Sequence, residues 1–375
     1  MDKLKIVTVV GTRPEVIRLS CVIKKLDQHC SHFLVHTGQN YDYELNEIFF
    51  EQFNIRRPDF FLDAARSTPA ATIGNVIIEI DKVFEQLKPD ALLILGDTDS
   101  CLSAIPAKRR KIPIFHMEAG NRCFDMRVPE EINRRIVDHI ADVNLTYSNI
   151  AREHLLAEGL NTDRIIRIGS PMREVLEVQE QKILNSGILK KLNLNKACYF
   201  LFSFHRQENV DVRCNLQSIV NVLNQVEKIY GQKIIVSTHP RTRSKLKEFG
   251  INASENILFH KPFGYHDYIK LQMEARLVIS DSGSITEEAA ILGFPALNIR
   301  ETHERPEGME ETVAMMTGLD EHSILRCIEV ALSQFNSIKE KGFAVKDYEP
   351  NDVSDKVLKI IHSYTGYVNR VVWKR

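Results

Sequence analysis

The chain has 375 residues, 43% of them hydrophobic and 26% charged, with 49 Lys and Arg balanced by 50 Asp and Glu. Such a length suits two α/β domains that each bury a core, and a net charge of -1 argues against nucleic acid as a bulk partner. No segment approaches the roughly 20 apolar residues that span a bilayer, so no membrane is expected.

The opening MDKLKIVTVVGTRPE has only a short apolar run before its Gly-Thr-Arg-Pro, which reads as a first strand rather than a signal peptide. The 7 cysteines are odd in number and contain no C-x-x-C pair. Neither a disulfide framework nor a metal site is expected, and a reducing cytoplasm fits. Short apolar runs follow at Leu4–Val10, Phe33–His36, Ala91–Leu95, Ile114–Met117, Val143–Tyr147 and Ile165–Ile168. Helical patterns lie between them at Glu15–Gln28, Ala70–Leu87 and Glu130–Ile140. Continuous apolar strands alternating with helices predict a parallel sheet covered on both faces. The segment Glu174–Lys196 is poor in strand signals, and the pattern then restarts at Tyr199–Phe204, Lys233–Thr238, Ile257–His260, Leu277–Ser280 and Ala296–Ile299.

The fold class predicted is α/β, with two doubly wound, Rossmann-like domains. Residues 1–175 form the first, 176–196 the junction and 197–350 the second, which binds nucleotide. Residues 351–375 form a helix that packs back on the first domain.

Ligands of such sheets bind beyond the carboxyl ends of the strands, so the residues after each strand carry the functional argument. After the first strand comes Gly11-Thr12-Arg13-Pro14-Glu15. Gly allows a tight turn and Pro14 suits the first helical position. An anion there would meet free N–H groups and Arg13, although a plain turn with a solvated Arg has the same sequence. Asp97 follows a buried strand in Gly96-Asp97-Thr98-Asp99, as a cap or as a working carboxylate. Glu118, in His116–Gly120, lies at the same edge. Pro129 starts a helix with Glu130 in its first turn. Three carboxylates on one rim suit acid/base work at carbon. In the second half, His205 stands at a strand end beside Arg206 and Glu208 and is a candidate for proton handling. His239–Arg243 is a basic turn or only a helix start. Ser280–Glu288 offers Ser and Gly N–H and hydroxyl groups to a diphosphate, with Glu288 one turn in to hold ribose. The same residues equally fit a capping box of Ser284 and Glu287. Neither a Walker A loop nor G-x-G-x-x-G occurs, so ATP chemistry and a dinucleotide cofactor are unsupported.

These motifs, GTRPE at 11–15, GDT at 96–98, HMEAG at 116–120, PEEINR at 129–134, HRQEN at 205–209, SDSGSITEE at 280–288 and ERPEG at 304–308, resemble the non-hydrolysing UDP-N-acetylglucosamine 2-epimerase family over essentially the whole chain. The resemblance implies the glycosyltransferase-B arrangement with an interdomain cleft, no metal, no cofactor and a homodimer. It implies that Asp97, Glu118 and Glu130 handle protons and that His205 and Arg13 support a departing diphosphate. Arg18, Ser282, Gly283, Ser284 and Glu288 would hold the nucleotide, with Tyr268 on the uracil. Residues 36–47, 117–139 and 300–308 resemble the branch that forms UDP-N-acetyl-L-fucosamine from UDP-2-acetamido-2,6-dideoxy-L-talose in surface polysaccharide synthesis. Asn40 and Tyr41 stand where the family usually carries His-Arg, so activation by UDP-N-acetylglucosamine is not expected.

The function expected is inversion at C2 by elimination and re-addition of UDP, with the L-talose derivative as the favoured substrate and UDP-N-acetylglucosamine next. A retaining glycosyltransferase, a hydrolysing epimerase and a sugar-nucleotide sensor are the alternatives. The three carboxylates favour the epimerase.

Overall fold

The computed structural model describes residues 3–39, 43–341 and 343–375. Asn40 and Tyr41 lie outside the described residues. The chain divides into two compact units. The first runs to Val178 and takes in Asp347–Arg375, and the second is Gln179–Lys346.

Unit one is a parallel sheet of β1 (Lys5–Val10), β2 (Ser31–His36), β3 (Phe60–Phe61), β4 (Ala91–Leu95), β5 (Ile114–Met117), β6 (Val143–Thr146) and β7 (Ile165–Arg167). The order is β3-β2-β1-β4-β5-β6-β7. Unit two holds β8 (Tyr199–Phe204), β9 (Lys233–Thr238), β10 (Ile257–His260), β11 (Leu277–Ser280), β12 (Ala296–Asn298) and β13 (Ala314–Met316), in the order β10-β9-β8-β11-β12-β13. Every pairing is parallel, for example Thr8 with Leu93 and Phe202 with Ile279. The doubly wound α/β class read from the sequence is the class observed, twice.

The strands form where the apolar runs are continuous because both faces of each sheet are covered. β4 and β5 are buried throughout. In unit one, Val7, Val9, Leu92 and Ile94 pack with Ile80 and Phe84 of the helix Pro69–Leu87. In unit two, Phe200, Phe202 and Phe204 pack with Leu216, Ile219 and Val220 of the helix Arg213–Tyr230. β3 and β13 are edge strands of two and three residues that no apolar run announced. The segment Glu174–Lys196 is largely helical, as Met172–Leu184 and Ile188–Lys191. The helix Val353–Val371 belongs to unit one, where Asp355 pairs with Lys25 at 2.9 Å and the Ser354 N–H donates to Glu174 at 2.9 Å.

In both sheets the chain winds outward in opposite directions from one point, between β1 and β4 and between β8 and β11. Loops leaving the carboxyl ends of these strand pairs diverge and open a crevice, where ligands of such sheets bind. The backbone after β5 is unusual. Glu118 has φ 65° and Gly120 φ 80°. Positive φ is uncommon for a residue with a Cβ and concentrates at functional sites. A Cβ on Gly120 would lie 2.2 Å from the Ala151 carbonyl oxygen. Gly120→Ala is therefore predicted to lower stability by more than the roughly 1–2 kcal/mol of a left-handed alanine alone. A wild-type melting temperature in that variant contradicts this account of the turn.

Candidate active site

The turn after β1 is closed by a carboxylate that the sequence reading left without a role. Glu15 is 2% exposed and accepts from the Gly11 N–H, from the Thr12 N–H at 3.4 Å, from Ser100 Oγ at 2.9 Å and from Thr98 Oγ1. It thus joins the loops after β1 and β4 across the switch point. Gln39 adds a second link, donating to Thr98 Oγ1 at 3.1 Å. A Cβ on Gly11 would stand 2.5 Å from Thr37 Oγ1 and 2.6 Å from Gln39 Oε1, so a side chain there would displace the Gln39 link. Burial pushes the Glu15 carboxyl up to about 7, against hydrogen bonds from Thr98, Gly11, Ser100 and Thr12 that hold it down. The helix starts at Arg13, one residue earlier than expected, with Pro14 second. Arg13 is exposed, its guanidinium 5.3 Å from the centre of the Phe49 ring. Arg18, one turn on, is only 6% exposed and lies over Tyr147 at 5.9 Å.

Asp97, Glu118 and Glu130 are all half-buried at the carboxyl edge of unit one. Asp97 Oδ2 accepts from Arg134 Nε at 2.7 Å and lies 2.6 Å from Nη2. Arg134 is itself buried and pairs with Glu131 at 3.1 Å. Asn133 donates to the Asp97 carbonyl at 2.8 Å. Glu118 accepts from Asn121 Nδ2 at 3.3 Å, and its Oε2 lies 3.6 Å from where a Cβ on Gly96 would stand. Glu130 is in the first turn of Pro129–Ile140 and faces Asp99, whose carboxyl is raised first by burial and also by the Glu130 charge.

Behind this rim a buried network fixes the backbone. His116 Nε2 meets the Gly96 carbonyl at 2.7 Å, and Nδ1 lies 2.9 Å from Asp138. Asp138 also takes the Gly120 N–H at 3.2 Å and Arg122 at 2.7 Å, while Arg122 reaches Glu158 at 2.6 and 2.8 Å. Buried charges are tolerable when paired in this way, and they hold the turn that carries Glu118. Cys123 is buried beside Glu131, its thiol at 3.4 Å.

In unit two the same logic recurs at β8 and β11. Asp281 is fully buried and accepts from the His205 and Arg206 N–H groups at 2.9 Å and from Asn209 Nδ2 at 3.0 Å. Burial works against its charge, but the facing His205 and these N–H groups hold it at about 2. His205 Nδ1 lies 3.1 Å from Asp281 Oδ1, which leaves Nε2 directed outward on a 43% exposed side chain. Ser282 Oγ and Ser284 Oγ are 3.0 Å apart at the start of Ile285–Leu292. The capping box that the spacing allowed is not formed. Ser284 makes no side-chain cap, and Glu287 is buried against Arg305 at 3.2 Å. Glu288 accepts from Gln272 at 2.7 Å. Tyr268 belongs to the same cluster. Its phenol is pushed up by burial and then by Glu288, and eased by hydrogen bonds with Ser203 and Ser280. His239 caps the helix Pro240–Phe249 through the Arg241 N–H at 3.3 Å, so that basic turn is a helix start.

Arg13, Arg18, Asp97, Glu118 and Glu130 lie in unit one, and His205, Tyr268, Ser282, Gly283, Ser284 and Glu288 in unit two. The sequence reading missed Glu15, Arg134 and Asp281, whose partners Ser100, Asp97 and His205 are distant in the chain.

Two doubly wound units, one bearing a carboxylate rim and the other a Ser/Gly turn, define an α/β enzyme. The family model described as UDP-N-acetylglucosamine 2-epimerase matches residues 24–362, and the chain belongs to that family of isomerases. It is 37% identical to the UDP-N-acetylglucosamine 2-epimerase of Methanococcus maripaludis, over 88% of this chain and 92% of that protein. A solved structure of the Rickettsia bellii UDP-N-acetylglucosamine 2-epimerase is 50% identical, with TM-score 0.92 and 100% of each chain covered. The Methanocaldococcus jannaschii UDP-GlcNAc 2-epimerase, solved in complex with UDP-GlcNAc and UDP, is 32% identical with TM-score 0.89, over 96% of this chain and 100% of that one. These relatives carry the UDP-N-acetylglucosamine name, and none of them supports the L-fucosamine branch expected from residues 36–47, 117–139 and 300–308.

The Glu15 carboxyl gives a prediction with a definite sign. Its value rises from 4.5 to about 7 on folding. The folded chain therefore holds this proton in a range where the unfolded chain has lost it. The associated stability is fully present below about pH 4.5 and is lost as pH rises through about 7, on the order of 3 kcal/mol in all. In Glu15→Gln the amide oxygen keeps the backbone bonds while NH2 faces Thr98 and Ser100. Thermal unfolding followed from pH 4.5 to 8 should fall more steeply in the wild type than in this variant. Equal slopes contradict the assignment.

Proposed function

We propose that this chain interconverts UDP-N-acetylglucosamine and its C2 epimer by elimination and re-addition of UDP. The observation that carries the reading is the rim of Asp97, Glu118 and Glu130 at the carboxyl ends of β4 and β5, with Asp97 held by Arg134. The C2 proton of an amino sugar is not acidic enough for direct removal near neutral pH. Loss of the C1–O bond makes it so. In the proposed route a carboxylate takes the C2 proton, and the C–H electron pair becomes the C1–C2 double bond of a glycal. The C1–O pair leaves with the β-phosphate of UDP. A second carboxyl returns a proton to the opposite face of C2, and an oxygen of the freely rotating β-phosphate re-adds to C1. Inversion needs proton transfer on both faces, and several carboxyl groups on one rim supply it. A retaining glycosyltransferase has no use for a second such group.

His205, fixed by Asp281, and exposed Arg13 are assigned to the charge that develops on the departing diphosphate. Arg18, Ser282, Gly283, Ser284 and Glu288 are assigned to the nucleotide, with Tyr268 beside the uracil. The UDP-N-acetylglucosamine relatives, one of them solved with UDP-GlcNAc and UDP, support this substrate over the L-talose derivative. The substrate preference drawn from the sequence alone is therefore reversed.

Turnover of UDP-N-acetylglucosamine in D2O should place deuterium at C2 of the product by proton NMR. Product formed without label sinks the proton-transfer route. Glu118→Gln and Asp97→Asn should each lower kcat by about a hundredfold or more, the usual scale of acid/base groups. UDP-N-acetylglucosamine should exceed the L-talose derivative in kcat/KM by about tenfold or more, since the missing hydroxyl leaves a polar site group unpaired. The opposite order restores the L-fucosamine branch and leaves C2 epimerisation standing.

A further inference from the structure

Arg300 follows β12 and is 3% exposed. Its Nη2 donates to Glu304 Oε1 at 2.9 Å, while its Nη1 is buried without a hydrogen-bond partner among the described residues. A buried guanidinium N–H left unpaired is costly and requires an explanation. Its surroundings offer one. A Cβ built on Gly283 would stand 4.0 Å from Arg300 Nη1 and 3.3 Å from Glu304 Oε2. The open donor and the carboxylate thus both lie against the Ser282-Gly283-Ser284 turn. Arg206, which donates to the Asp281 carbonyl at 3.1 Å, also has Nη2 3.6 Å from Glu304 Oε1. Glu304 is an anion held by two guanidinium groups beside a Ser-Gly-Ser turn whose hydroxyls, now paired with each other at 3.0 Å, can be turned toward an anion.

We propose that Arg300 is a further diphosphate-binding residue and that Glu304 is its internal counter-ion, which yields Arg300 and Arg206 to the arriving diphosphate. The inference rests on the assignment of the turn at 282–284 to the diphosphate. Without Glu304, two guanidinium groups would face each other across an empty anion site. With it, the ligand-free unit keeps its charges paired, and binding exchanges one anion for another. Gly283 is then required because a side chain would fill the space the two anions share. The counter-ion weakens UDP binding, which favours release of nucleotide after the sugar is rebuilt.

The test is calorimetric titration of the full chain with UDP and with uridine, which lacks the phosphates. Glu304→Gln keeps an oxygen for Arg300 Nη2 but removes the charge, so UDP should bind about three- to tenfold tighter while uridine is unchanged. Arg300→Gln should weaken UDP by about ten- to a hundredfold, again without effect on uridine. Melting temperatures of both variants establish that the fold is retained. UDP affinity unchanged or lowered in a folded Glu304→Gln protein overturns the counter-ion role. A Ser282→Ala, Ser284→Ala double variant separates the underlying assignment. If it binds UDP as the wild type does, the turn is not the diphosphate site. If it binds UDP weakly while Glu304→Gln gains nothing, only the present inference fails.

Discussion

Glu15 and Asp281 are carboxylates with almost no exposed surface, each placed where a parallel sheet changes its direction of winding. An uncompensated charge at such a depth is expensive, so each must collect donors, and the donors available are on the diverging loops. Glu15 takes the N–H groups of its own turn and the hydroxyls of Thr98 and Ser100. Asp281 takes the N–H groups of His205 and Arg206. Loops that the sheet drives apart are thereby tied at their roots while their tips stay open. The positions of Arg13, Asp97, His205 and Ser282 all follow from these two ties.

The two carboxylates reach opposite electrostatic outcomes from similar burial. Glu15 meets the hydroxyls of Thr98 and Ser100 and the N–H groups of Gly11 and Thr12, and burial raises its carboxyl to about 7. Asp281 faces an imidazole and stays near 2. Asp97 is treated differently again, gripped by Arg134, which Glu131 holds in turn. Within unit one, Glu15 and Asp97 are thus acids in distinct environments, which acid/base work at carbon requires. The Ser/Gly turn of unit two, with Arg300 and Glu304 beside it, concerns anion exchange instead. In the proposed reaction the two tasks are linked, because the proton becomes removable only as the diphosphate leaves.

Much of this is legible in the amino-acid sequence alone. Interior strands were readable since a parallel sheet covered on both faces demands unbroken apolar runs, and the candidate residues could be located as those that follow each run. Edge strands were not. Phe60–Phe61 and Ala314–Met316 are too short to leave a pattern, and their pairing depends on β2 and β12 already being in place. The missed site residues fail for a related reason. Glu15 looked like an ordinary acidic residue in a first helical turn, because nothing local indicates that Thr98 and Ser100 will arrive above it. Spacing proposed a cap for Ser284 and Glu287, but Arg305 claims Glu287 instead. The substrate branch was misjudged from strings such as 117–139, in which Glu131, Asp138 and Arg134 serve the scaffold and carry no information about C4 to C6 of the sugar.

The central claim is that the anomeric C1–O bond breaks and re-forms while the rim carboxylates invert C2. Positional isotope exchange addresses it directly. UDP-N-acetylglucosamine is prepared with heavy oxygen in the bridge between C1 and the β-phosphorus and incubated with the wild-type chain. Phosphorus NMR then follows where the label resides in recovered substrate and product. If UDP departs and returns, rotation of the β-phosphate moves the label into non-bridging positions at a rate no slower than epimerisation. C2 inversion that proceeds to equilibrium with the label still confined to the bridge contradicts the account.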